Sequence, residues 1–171
     1  MKNRGFTLTE ILVTLVIIGI ISAFTIPNIT GILKNNRDDS FYDDAYRLYE
    51  VAKVKESVSK TIKPTVVGNC SVYTLNYLDS NNGFDKSPNG GVYDGYDSYV
   101  IVKYDSLSDN VKNYKYYIRL VENVSGKTYG INLAELEKVE KKDKMILGSV
   151  TRDLQLSNYE GLCSESFVYT N

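Results

Sequence analysis

Between Ile11 and Leu33 the chain carries no Asp, Glu, Lys or Arg, a run of 23 residues. As a helix rising 1.5 Å per residue it would measure roughly 35 Å, enough to cross the hydrocarbon core of a bilayer. A segment hydrophobic on all sides has no place on a solvated surface, so the rest of the chain must fold around other material. A cleaved secretory signal usually has a shorter apolar region followed by a small-x-small box. Ser22-Ala23-Phe24 supplies a poor one. Lys2 and Arg4 precede the run, whereas Lys34, Arg37, Asp38 and Asp39 follow it. The positive-inside rule therefore places the N-terminus in the cytoplasm and exports the C-terminal bulk.

One carboxylate, Glu10, stands at the head of this run. An acidic side chain inside a membrane helix costs about 2.5 to 3.5 kcal/mol on insertion scales, so it marks a functional site and calls for a neutralising partner. Pro27 falls within the same run, where it removes a backbone donor and predicts a kink or a locally loosened helix.

The residues after Leu33 suffice for one compact domain. The net charge is -1, and acidic and basic residues are interspersed. No basic footprint of a nucleic-acid binder is present, so no nucleic-acid partner is expected. Histidine is absent, which removes the commonest general base and metal ligand and argues for a structural protein over an enzyme. No cofactor is implied. Cys70 and Cys163 both fall in the exported part. In an oxidising compartment they would pair, closing a loop of roughly 90 residues worth about 4 to 5 kcal/mol in the chain-entropy model. Two free, buried thiols are the alternative.

Beyond the run the helical pattern resumes as Phe41, Ala45, Leu48 and Ala52, widened by Val51, Val54 and Val58, up to a stop at Lys63-Pro64. One long helix from about Phe6 to Ile62 is predicted, apolar all round in its first half and amphipathic in its second. Thr65 to Ser98 loses all period and is rich in turn residues, which predicts a long surface loop. Tyr99–Tyr104, Tyr114–Val121 and Lys127–Leu133 read as strands, the last two joined by a hairpin at Asn123–Gly126. Ala134 to Lys144 reads as a short charged helix, and Met145 to Asn171 as an irregular or short-stranded tail. The fold class is α+β, with the long helix packed on an antiparallel sheet of three or more strands. Most of the 15 tyrosines suit the core between helix and sheet.

Gly5-Phe6-Thr7-Leu8-Thr9-Glu10 followed by the apolar span resembles the class III leader of type IV pilins and of their relatives, the pseudopilins of type II secretion and competence systems. The resemblance implies residues 1–5 as leader, 6–33 as transmembrane and assembly helix, 34–64 as its amphipathic half and 65–171 as a pilin head. It implies cleavage between Gly5 and Phe6 by a prepilin peptidase that then N-methylates Phe6. It further implies that Glu10 meets the Phe6 amine of a neighbouring subunit in a filament core, and that Pro27 marks local melting of the helix. Partners implied are copies of the chain, other pilins, the peptidase/methyltransferase, and an assembly platform with its ATPase. The precursor would sit in the cytoplasmic membrane, and the product would be an extracellular pilus serving adhesion or surface motility. A pseudopilin would share the leader. A single-pass membrane protein with a ligand-binding ectodomain would keep its N-terminus uncut.

Two minor motifs remain. Asp79-Ser-Asn-Asn-Gly-Phe-Asp85 departs from a calcium loop at its fifth and sixth places and reads as a polar turn. Asn28-Ile-Thr30, Asn69-Cys-Ser71 and Asn123-Val-Ser125 fit the N-glycosylation sequon, with Asn28 inside the span.

Overall fold

The computed structural model describes residues 6–58, 63–79, 83–84, 86–136, 146–151 and 161–169, with the backbone alone at positions 26–28. It divides into two units, Met1–Arg37 and Asp38–Asn171. Helix α1, Leu8–Val58, begins in the first and ends in the second. The helix runs through Pro27 without interruption.

In the first unit α1 is apolar all round, and Leu8, Leu12, Leu15, Ile18, Ile21, Phe24 and Leu33 are all exposed. Its most apolar stretch is not buried in the protein, and by length and composition the helix can cross a membrane. Two of the hydroxyls it carries are folded back onto its own backbone. Thr14 donates to the carbonyl of Ile11 at 2.8 Å and Thr25 to that of Ile21 at 3.0 Å. This satisfies both groups without water, as residence in lipid requires.

In the second unit α1 turns amphipathic because apolar residues recur at four, three and four positions. Phe41, Ala45, Leu48 and Ala52 are fully buried, clustered with Val100, Val102, Ile118, Leu120 and Ile131 of the sheet. Glu56 lies four residues further along the same stripe. Its carboxylate accepts from the Tyr116 hydroxyl at 2.8 Å and lies 3.1 Å from Lys63 Nζ, so the buried charge is paired. Tyr93 donates likewise to Asp44 at 2.7 Å. These phenol–carboxylate contacts fasten helix to sheet at two levels.

The strands are β1 (Cys70–Thr74), β2 (Val92–Tyr93), β3 (Tyr99–Ser108), β4 (Val111–Val124), β5 (Lys127–Glu135), β6 (Leu147–Ser149) and β7 (Ser166–Tyr169). The spatial order is β6-β5-β4-β3-β1-β7, with β2 pairing β4. All pairs are antiparallel except β1 with β7. Both tight hairpins use two residues at positive φ, Asp109 (51°) with Asn110 (63°) and Ser125 (51°) with Gly126 (80°). Such turns match the twist of the strands they join. On β5, Asn132 and Leu133 together oppose the single residue Arg119 of β4, a bulge. Gly130 lets the strands close: a Cβ there would stand 2.1 Å from the Leu120 carbonyl.

The bulge surrounds a buried ion pair. Arg119 and Asp97 are 1% and 0% exposed at their side chains. Arg119 Nε and Nη2 donate to the two Asp97 oxygens at 2.8 and 3.0 Å, Nη1 to Asn132 Oδ1 at 2.7 Å and Nη2 to the Thr151 carbonyl at 2.6 Å. Both charges are thereby compensated, and Thr151, just after β6, is tied to the sheet.

The stretch expected to be a loop, 65–98, contains β1, a short helix α2 (Leu75–Leu78) and β2. Every residue of β1 is buried, so no alternation marks it. Tyr73 joins the core beneath α1, whereas Cys70 and Val72 join a second cluster with Tyr99 and Ile101. Thr74 caps α2 and donates to the Tyr169 carbonyl at 3.1 Å, which makes its polar side chain tolerable there. The charged helix expected from Ala134 is corrected at its start: Ala134 and Glu135 continue β5 against Ile118 and Tyr117. The rest of it, 137–144, lies outside the described residues. The tail supplies β6 and β7, and the sheet is therefore mixed, since β7 runs parallel to β1. Cys70 and Cys163 are disulfide-bonded, with Cα atoms 5.7 Å apart across a separation of 93 residues.

Burial of the tyrosines has an electrostatic consequence. Removal from water pushes the phenols of Tyr73, Tyr93 and Tyr116 well above the ordinary tyrosine value, and the hydrogen bonds to Asp44 and Glu56 add to this for the last two.

Candidate functional site

The site lies at the N-terminus of α1, in the first unit. Thr7 precedes the helix and Glu10 is its third residue. The first four amides of any helix lack intrahelical acceptors. Here the Thr7 amide donates to Glu10 Oε2 at 2.8 Å, and the Thr7 hydroxyl donates to the same oxygen at 2.7 Å. In return the Glu10 amide approaches Thr7 Oγ1 at 3.4 Å, and the Ile11 amide closes the first turn on the Thr7 carbonyl at 3.2 Å. This is a capping box, in which a Thr and a Glu three residues apart satisfy each other's backbone donors. The carboxylate also faces the positive end of the helix dipole.

The sequence reading singled out Glu10 but gave Thr7 no role. A signal was present, since Thr-x-x-Glu directly before an apolar run is the signature of a helix start. The structure brings Glu10 onto Thr7. Phe6, the expected new N-terminus, is exposed. Gly5 lies outside the described residues, as does the side chain of Pro27. Cys70 and Cys163 belong to the second unit and take no part here.

Chemically, the arrangement holds an anion without consuming it. Oε2 accepts two hydrogen bonds from neutral donors, and Oε1 has no hydrogen bond within the described residues. Such a carboxylate can still accept a cationic amine from outside the chain. Among the described residues no cluster of His, Cys, Asp or Glu could hold a metal ion. At the loop after α2, the two Asp79 carboxylate oxygens accept from the Gly83 and Phe84 amides at 2.7 and 3.1 Å, the pattern of a polar turn. Residues 80–82 and 85 of that loop lie outside the described set.

No curated protein and no solved structure matches the chain. Residues 1–26 match the family model described as the prokaryotic N-terminal methylation motif. That span takes in the basic leader, Gly5, Phe6, the Thr7–Glu10 cap and the first part of the apolar helix. With the long helix and the α+β head, it supports a type IV pilin-like prepilin.

Proposed function

We propose that the chain is a structural subunit of an extracellular type IV pilus. Prepilin peptidase cuts it after Gly5 and methylates Phe6, and the subunit then leaves the membrane through bundling of its N-terminal helix with those of identical neighbours. The observation that carries this reading is the methylation motif over residues 1–26. Its support is an α1 whose described apolar side chains from Leu8 to Phe24 and from Ile29 to Leu33 are exposed.

Glu10 directs assembly. Cleavage creates a positive amine at Phe6, and in a low-dielectric bundle that amine and the Glu10 carboxylate are far less costly together than apart. A helix displaced by one turn leaves both unpaired, so the pair selects register. Pro27 lacks the amide that an unbroken helical ladder would use, and it is where we place the loosening of α1 during assembly. Pairing of Cys70 with Cys163 secures the exported head. The motif is equally that of a pseudopilin precursor, and adhesion or motility would follow from the pilus reading alone.

Mass spectrometry of the mature protein tests processing: an N-terminal methyl-Phe6 is expected, and an intact Met1 start refutes both filament readings. Electron microscopy of sheared surface material then separates pilus from pseudopilus. A Glu10→Ala chain should fold its head and reach the membrane yet fail to enter filaments; incorporation equal to the parent would remove Glu10 from the assembly step.

A further inference from the structure

The three sequons of the chain differ sharply in the structure. Asn28 lies within the apolar helix of the first unit. Asn69 is 7% exposed, and its Nδ2 donates to Glu165 Oε2 at 3.1 Å. Asn123 is exposed at the corner between β4 and β5, two residues before Ser125, which is also exposed. Its Oδ1 accepts from the Gly126 amide at 3.1 Å. Its Nδ2, the atom a sugar would be attached to, makes no hydrogen bond within the described residues. Beyond Asn123 the β4–β5 ladder has a single further pair, Val124 with Lys127, and the β2 neighbour is a strand of two residues. The corner is thus the end of the ladder, where local opening is cheapest.

We propose that Asn123 is an N-glycosylation acceptor for a membrane oligosaccharyl transferase acting on the exported head, with a lipid-diphosphate-linked oligosaccharide as donor. The proposal rests on the export of the head. In the transfer, Asn123 Nδ2 attacks the anomeric carbon and forms a C–N bond. The carbon–oxygen bond to the diphosphate breaks, the lipid diphosphate departs with the electron pair, and Nδ2 releases one proton. The Ser125 hydroxyl is the recognition group of the sequon. A glycan at this position projects into solvent from a turn and displaces no core residue, whereas one at Asn69 would break the hydrogen bond to Glu165.

The test uses the full chain isolated from the cells that make it. Trypsin releases Leu120–Lys127, which contains Asn123, and its mass should exceed that of the bare peptide by whole sugar residues. Asn123→Gln and Ser125→Ala should each abolish the increment, and Ser125→Thr should keep it. An unmodified Leu120–Lys127 in protein whose Cys70 and Cys163 are oxidised overturns the proposal while leaving export intact. So does an increment that survives in Ser125→Ala. An unmodified peptide together with free thiols overturns the export reading and this one with it.

Discussion

Replacing Arg119 by Met should strongly destabilise the sheet, and the structure gives the size of the effect. The Asp97 carboxylate is 0% exposed and receives both of its side-chain hydrogen bonds from Arg119, at 2.8 and 3.0 Å. Without the guanidinium it is a buried charge with no partner, which costs about 3 to 5 kcal/mol. Removing the pair together is a different experiment. In Arg119→Met/Asp97→Leu no charge is left behind, and such replacements range from neutral to stabilising. The two other acceptors of Arg119 belong to Asn132 and Thr151, both exposed, and water can serve them. Heating the full chain in detergent while following the near-ultraviolet dichroism of its tyrosines would measure both variants. At about 3 to 4 °C per kcal/mol for a unit of this size, the single variant should melt roughly 10 to 20 °C below the parent, and the double variant should recover most of that loss. A single variant within about 1 kcal/mol of the parent, or a double variant as unstable as the single, would refute the reading of Asp97 and Arg119 as a mutually dependent buried pair.

Other expectations follow from separate features. Reducing the Cys70–Cys163 bond frees a closed loop of 93 residues, which should lower head stability by roughly 4.6 kcal/mol in the chain-entropy model; denaturant melts with and without reductant would show it, and coincident curves would contradict it. Thr7→Val removes the hydroxyl that donates to Glu10 and should weaken the helix start by about 1 kcal/mol; faster amide exchange over Leu8–Leu12 in micelles is the readout, and unchanged exchange would mean the capping box contributes nothing. Burial holds Tyr73 and Tyr93 protonated above the ordinary tyrosine value. The unfolded chain loses those protons first, so stability is full below about pH 10 and falls as pH climbs toward the folded values, by up to about 1.4 kcal/mol per residue at pH 11. Urea melts at pH 9 and 11 on the parent and on Tyr93→Phe would check this; an identical pH dependence in the two would exclude Tyr93 as a contributor.

Much of the architecture was legible because it depends on local pattern. The 4-3-4 spacing from Phe41 to Ala52 declares a covered helix face, and the Tyr-, Val- and Ile-rich runs of β3, β4 and β5 declare strands by composition. β1 did not, because Cys-Ser-Val-Tyr-Thr is buried on both faces and uses hydrogen bonds to hide its hydroxyls. β7 is short, and three of its four residues are exposed; nothing in Ser166–Tyr169 reveals its parallel partner, Cys70–Tyr73, far earlier in the chain. Ala134 and Glu135 misled through composition, since their helical propensity yields to pairing with Ile118 and Tyr117. At the candidate site the charge of Glu10 drew attention to what it lacks, and the nearer question was which donors of a helix start it could satisfy.

The place of β7 has a bearing on how the head is made. β1 is the first strand of the sheet in sequence, yet one of its edges stays open until Ser166–Tyr169 lie alongside it. The β3–β4 and β4–β5 hairpins, whose partners are adjacent in sequence, and the β1–β3 pair can form without β7, but the outer edge of β1 cannot be covered. Until β7 is in place, β1 keeps an unpaired edge of backbone donors and acceptors, so the contact that finishes the sheet is also one of its longest in sequence and the slowest kind to form.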